Sequence, residues 1–307
     1  MLRPGILRAL PAIAALTLGL HAPARAAQAV DAERYAKPGP WPVERRRQAL
    51  CCDAKGNKID LYLPRTSPDR PAPASGFPAI TWGNGTWASP DRYDLLLRHL
   101  AYWGMVVVAT RDASAASGDT LLDAVGLLAR DRTLPPVDPA RIGAAGHSQG
   151  AGGALNAAAR GDPKLRTTVA ISLPERRFCK QGDCAHLFDR LRPGASVLLM
   201  SGARDGLSPP RALAGYMREI PAGVGRAAAA VRGADHNDVH TDNQGQPGCR
   251  PFAFGCRQGI GAFLPYVTAW LRWRLADDRA AGALFDGADP AWRDDARLQV
   301  LSPPREG

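Results

Sequence analysis

The chain has 307 residues, 45% of them hydrophobic and 22% charged, with a formal charge of +10. That is enough apolar material for a sizeable core and too little net charge for a disordered chain, and it fits one large α/β domain better than two small ones. The 32 Gly and 27 Pro follow no triplet period and no repeat of solenoid length recurs, which excludes collagen-like and solenoid architectures.

Arg supplies 34 of the 39 basic residues. Apart from Arg45-Arg46-Arg47 and the pair Arg176-Arg177 they are scattered and carry no interleaved aromatic platform, so no nucleic-acid partner is expected. The N-terminus has two arginines in Met1 to Arg8, a short apolar stretch from Ala9 to Leu20, and Ala24-Arg25-Ala26 as an A-x-A cleavage site. This reads as a signal peptide over 1–26, removed from a secreted or periplasmic protein. Its apolar stretch is shorter than the roughly 20 residues of a membrane helix and no later segment reaches that length, so no membrane span is expected. Removing 1–26 takes away Arg3, Arg8 and Arg25 and no acid, lowering the charge from +10 to +7. A monomer is expected.

Export makes disulfides the expected state of the six cysteines. Cys179 pairs with Cys184 and Cys249 with Cys256 in this reading, while Cys51-Cys52 bond to each other or to distant partners.

Residues 27–56 read as an irregular lead-in. From there strands and helices alternate. Lys58 to Leu63 (KIDLYL) alternates as a half-buried strand, and Phe77 to Trp82 (FPAITW) is an apolar strand ending at Gly83-Asn84-Gly85. Asp91 to Trp103 has helical spacing, Met105 to Thr110 (MVVVAT) is a β-branched strand, and Thr120 to Arg130 is a second helix. Arg141 to Ala145, Thr167 to Leu173, Ser196 to Met200 and Ala227 to Val231 read as further strands, separated or followed by helices at Ala151 to Arg160, Arg211 to Glu219 and Ile260 to Leu275. Strands separated by helices predict an α/β fold with a mostly parallel central sheet and helices on both faces. The Asp-, Gly- and Pro-rich 276–307 reads as a surface tail.

Gly146-His147-Ser148-Gln149-Gly150 fits G-x-S-x-G, with a strand before it and a small-residue helix after it. A serine on such a sharp turn exposes its hydroxyl above the sheet edge, and the helix N-terminus offers free N–H groups to a developing oxyanion. A serine needs a base, and the base a carboxylate to orient it. Asp205 in Ser201-Gly202-Ala203-Arg204-Asp205 and His236 in Gly233-Ala234-Asp235-His236 each follow an apolar strand. Their order, Ser, Asp, His, is that of the nucleophile-elbow arrangement. His240 is the rival base, and Asp183 and Asp189 are the rival acids. Asp235 to Asp242 also concentrates metal-type donors, but it lacks the spacing of a calcium loop, so no metal is expected. The oxyanion donors are expected to be the N–H of Gln149 and one of Gly85 or Thr86, with Trp87 beside them as a substrate contact or a packed core residue.

With GNGT at 83–86, GHSQG at 146–150, SGARD at 201–205 and GADH at 233–236, the chain resembles the α/β-hydrolase superfamily over 57–275. It is most similar to the exported esterase, lipase and cutinase-like (polyester hydrolase) branch and its dienelactone-hydrolase and chlorophyllase-like neighbours. The resemblance implies a cofactor-free hydrolase acting on esters through an acyl-serine intermediate, either on small soluble esters or on exposed polyester chains. Amide hydrolysis by the same triad and a non-catalytic binding role are the alternatives. Gln149, where polyester hydrolases commonly carry Met, and Trp87 depart from the cutinase-like pattern. Only about two dozen residues separate Leu173 from Ser196, too few for a large helical lid.

Overall fold

The computed structural model describes residues 32–161, 165–178, 186–241, 249, 254–287 and 290–301; the expected signal peptide, Cys179, Cys184 and Asp183 lie outside them. The described strands are Val43–Leu50 (β1), Ile59–Pro64 (β2), Phe77–Gly83 (β3), Val106–Thr110 (β4), Val137–His147 (β5), Thr167–Ile171 (β6), Ser196–Gly202 (β7), Gly225–Val231 (β8) and Leu298–Val300 (β9). They form one sheet in the order β1-β2-β4-β3-β5-β6-β7-β8-β9. The inner strands β4, β3, β5, β6, β7 and β8 run parallel. The outer strands β1, β2 and β9 are antiparallel to their neighbours. This is a mixed, mostly parallel sheet of the α/β class, as the alternation of elements predicts.

Helices Asp94–Tyr102 (α1), Asp119–Arg130 (α2), Gln149–Arg160 (α3), Pro210–Glu219 (α4) and Leu264–Ala276 (α5) pack against it, and the short helix Arg279–Gly282 (α6) packs against α5. Successive residues of a strand point to opposite faces, so apolar runs such as Val197 to Met200 feed two layers at once. Leu198 and Met200 join Leu97, Leu100, Val267 and Trp270 of α1 and α5. Val197 and Leu199 join Ala154, Leu155, Leu213 and Met217 of α3 and α4. The five residues of β4 (VVVAT) are buried throughout, which suits β-branched side chains in a strand covered on both faces.

The chain departs from the sequence expectations at its ends. Residues 43–50 are an edge strand rather than part of an irregular lead-in. Its charged run Val-Glu-Arg-Arg-Arg hides the strand signal because Arg45 turns inward, with only 4% of its side chain exposed, onto Asp60, Asp91 and Asp94 at 2.8, 2.6 and 2.7 Å. β2 is buried along its whole length rather than half-buried; its polar member Asp60 is compensated by Arg45 and Arg111. The described residues after 275 form no surface tail. Ala281 of α6, Leu284 just after it and Trp292 of a short helical turn enter the core, and Leu298 to Val300 pairs with β8. The single sheet therefore draws on residues 43 to 300, beyond the expected 57–275 on both sides.

β3 pairs with β4 on one side and β5 on the other, so the chain's crossovers change direction there. At such a switch the loops leaving adjacent carboxyl ends diverge and open a crevice. The loop after β3 and the turn after β5 flank it.

Candidate active site

Ser148 occupies the single-residue turn between β5 and α3 at φ 54° and ψ −126°, a conformation that a non-glycine residue adopts only when its surroundings impose it. Its N–H donates to the carbonyl of Ile171 on β6 at 2.9 Å, and its own carbonyl accepts from Ala151 N–H at 2.9 Å. A Cβ on Gly146 would overlap the backbone of Gly150, and one on Gly150 would overlap the backbone of Gly83 and Asn84. The two glycines thus let the turn close and press it against the end of β3.

Asp205 follows β7 and His236 follows β8. His236 Nδ1 lies 2.9 Å from Asp205 Oδ2 and its Nε2 lies 3.0 Å from Ser148 Oγ. A carboxylate only accepts, so the imidazole proton sits on Nδ1 and Nε2 presents its lone pair to the serine hydroxyl. Asp205 Oδ1 accepts from the N–H groups of Leu207 and Ser208 at 2.8 and 2.9 Å, which fixes the carboxylate from its other side. Ser148, Asp205 and His236 are all buried. Burial pushes the Asp205 carboxyl up, but His236 and the Ser208 N–H outweigh it and hold it below its ordinary value.

The sequence rivals stand elsewhere. Asp189 is exposed on a short helical turn. His240 packs its ring edge-on against Tyr93 and His147, with centroids 5.1 and 5.3 Å apart. His147, next to the serine, points away from it: Nδ1 meets Tyr93 Oη at 3.0 Å and Nε2 meets the carbonyl of His236 at 2.9 Å. Burial, then the neighbouring His236 and His240, hold its pKa well below the ordinary value, so it is neutral.

The loop after β3 is anchored by Asn84, whose buried Nδ2 donates to the carbonyls of Thr110 and Asp112 at 2.6 and 3.0 Å. Of the two candidate donors there, Gly85 N–H already donates to Tyr93 Oη at 2.9 Å. Among the described residues the N–H groups of Thr86 and Gln149 make no hydrogen bond. Trp87 is not a core residue: it is 92% exposed, and its N–H donates to the Ala113 carbonyl that also receives Gln149 Nε2. Among the described residues Phe254, Phe178 and Leu207 are the other exposed large apolar side chains. Each stands, like Trp87, in a loop that leaves the carboxyl end of a parallel strand.

Asp238 is a member of the site that its sequence context conceals. Within a loop readable as metal donors, it is fully buried. Its Oδ1 accepts from the N–H groups of Arg257, Gln258 and Gly259, and its Oδ2 from Asp235 N–H. It thereby joins the segment carrying His236 to the one following the disulfide Cys249–Cys256. The two sulfurs lie 3.5 and 3.4 Å from Oδ1 but are bonded to each other, so this trio offers no thiolate to a metal. Cys51 and Cys52 are also bonded to each other, across a cis peptide bond. No described helix is long and apolar enough to cross a membrane.

No protein-family model matches this chain, and no curated protein matches it either.

Proposed function

We propose that this chain is an exported serine hydrolase of the α/β-hydrolase superfamily that cleaves carboxylic esters. The observation that carries the reading is the continuous relay Asp205 Oδ2, His236 Nδ1, His236 Nε2, Ser148 Oγ, with contacts of 2.9 and 3.0 Å. The order Ser, Asp, His along the chain and the strand-to-helix turn at Ser148 support it. So does the position of the three residues just past the carboxyl ends of β5, β7 and β8.

In this mechanism Ser148 Oγ bonds to the ester carbonyl carbon while its proton passes to His236 Nε2. Asp205 stabilises the imidazolium that results. The carbonyl oxygen takes up the negative charge and is met by N–H groups of Gln149 and the 85–86 segment. The carbon–oxygen bond to the alcohol then breaks and the alcohol leaves with the proton from His236. Water attacks the acyl-serine, giving its proton to His236; the acid departs and Ser148 regains its proton. The apolar side chains at the strand ends, Trp87 and Phe254 foremost, suit an apolar acyl or alcohol group better than a charged one. The signal-peptide pattern at 1–26 supports an activity outside the cytoplasm.

The test is fluorophosphonate labelling followed by intact-mass measurement, together with hydrolysis of a p-nitrophenyl ester series. One adduct on Ser148, and loss of both labelling and turnover in Ser148→Ala, are expected. Turnover unchanged in Ser148→Ala refutes the mechanism, and labelling without any ester turnover refutes the substrate class.

A further inference from the structure

Tyr93 and His147 take no part in the proton transfers above, yet both are enclosed beside the reacting groups, Tyr93 with no exposed surface and His147 with 2%. The direction of their hydrogen bonds follows by elimination. Gly85 N–H can only donate, so Tyr93 Oη accepts it and sends its own proton to its other partner, His147 Nδ1. A neutral imidazole whose Nδ1 accepts carries its proton on Nε2. That Nε2 faces the carbonyl oxygen of His236, which can only accept. The opposite direction would leave the Tyr93 hydroxyl proton without an acceptor among the described residues, a cost that the observed arrangement avoids.

The result is an unbroken one-way chain from Gly85 N–H through Tyr93 and His147 to the backbone of His236. It ties together the loop after β3, the turn after β5 and the loop after β8, which are the loops that carry the oxyanion donors, the nucleophile and the base. We propose that Tyr93 and His147 are positioning residues that fix the oxyanion loop relative to His236, and that Thr86 N–H, with Gln149 N–H, holds the oxyanion because the chain occupies Gly85 N–H. The inference rests on the serine-hydrolase reading of the site. An oxyanion donor must sit about 3 Å from the developing charge, and a misplacement of roughly 1 Å costs on the order of a hundredfold in rate. A buried strut of three hydrogen bonds is a direct way to hold that tolerance.

Tyr93→Phe removes one oxygen and keeps the ring. We expect kcat for a p-nitrophenyl ester to fall about tenfold with KM within about threefold, because the lost interaction acts on the transition state. An alkylboronic acid, which takes the tetrahedral form on Ser148, should weaken by the same factor as kcat. Rates are referred to the count of fluorophosphonate-reactive sites, so misfolded protein does not contribute. In parallel, His147→Gln, which can still accept from Tyr93 and donate to His236, should keep most of the activity that His147→Leu loses. A fall in kcat below threefold in Tyr93→Phe, a matching rise in KM, or equal losses in His147→Gln and His147→Leu overturns the strut. If Ser148→Ala is silent while Tyr93→Phe is unimpaired, only the strut falls. If Ser148→Ala retains turnover, the hydrolase reading falls with it.

Discussion

Replacing Asp205 with Asn tests the relay with little change in shape. Asp205 Oδ1 can remain an oxygen and keep accepting the Leu207 and Ser208 N–H groups at 2.8 and 2.9 Å, so the loop after β7 stays in place. The atom that changes is Oδ2, 2.9 Å from His236 Nδ1. An amide nitrogen there donates, so Nδ1 must accept and the ring proton moves to Nε2, where it faces Ser148 Oγ and can no longer take the serine proton. The negative charge that stabilises the imidazolium is lost as well. Together these effects cost about 10⁴ in kcat in a triad of this kind, or about 5.4 kcal/mol at about 1.36 kcal/mol per decade. The stability change should stay near 1 kcal/mol, a Tm shift of about 1.5 to 2 °C for a chain of this size, because no buried donor loses its acceptor. The assay is steady-state ester hydrolysis with a thermal melt on the same preparation. A well-folded Asp205→Asn protein with kcat within tenfold of the parent would refute the assignment of Asp205 as the carboxylate that orients His236.

Asp238→Asn places an amide against four backbone N–H donors and should leave at least one unsatisfied, at about 1 to 3 kcal/mol; hydrogen exchange should quicken in 235–238 and 257–259, and unchanged protection there would exclude Asp238 as the link between the two segments. Trp292→Ala empties a core position only 4% exposed and should lower the urea-unfolding free energy by about 3 to 5 kcal/mol, whereas a side chain on a surface tail would change it by at most about 0.5 kcal/mol. The Arg297 guanidinium, more than burial and the Tyr266 hydroxyl oppose or assist, draws the Asp295 carboxyl down to about 2. A folded value below the unfolded one means that the stabilisation is present above the ordinary carboxylate pKa and is lost as pH falls toward 2. It is worth up to about 2 kcal/mol, so the Tm difference between parent and Asp295→Asn should shrink between pH 4 and pH 2, and a difference independent of pH would contradict the pairing.

Much of the sheet is legible in local pattern. MVVVAT, TTVAISL and SVLLM are apolar runs of strand length, and each is a parallel strand of the sheet: β4, β6 and β7. The pentapeptide at 146–150 is informative because a strand precedes it and a small-residue helix follows, and the same reasoning selects Asp205 and His236 as polar residues at the ends of apolar strands. Periodicity works here because it records which face of an element is covered. It fails at β1, whose arginines look solvated until Asp60, Asp91 and Asp94 are brought alongside, and at β9, whose three residues carry no pattern of their own. It also makes KIDLYL look half-exposed, since alternation reports opposite faces and is silent on whether both are covered.

The sequence alone therefore determined the class of the sheet, the order of elements from β2 to α5 and the three residue types of the relay, because these depend on neighbours within a few positions. Tertiary structure decided the contacts among polar atoms far apart along the chain. Tyr93 meets His147 across 54 positions, and Asp238 meets Gly259 across 21. A hydrogen bond depends on distance and direction to within a few tenths of an ångström. Only the packed fold supplies that, and it engages Gly85 N–H while leaving Thr86 N–H without a hydrogen bond among the described residues.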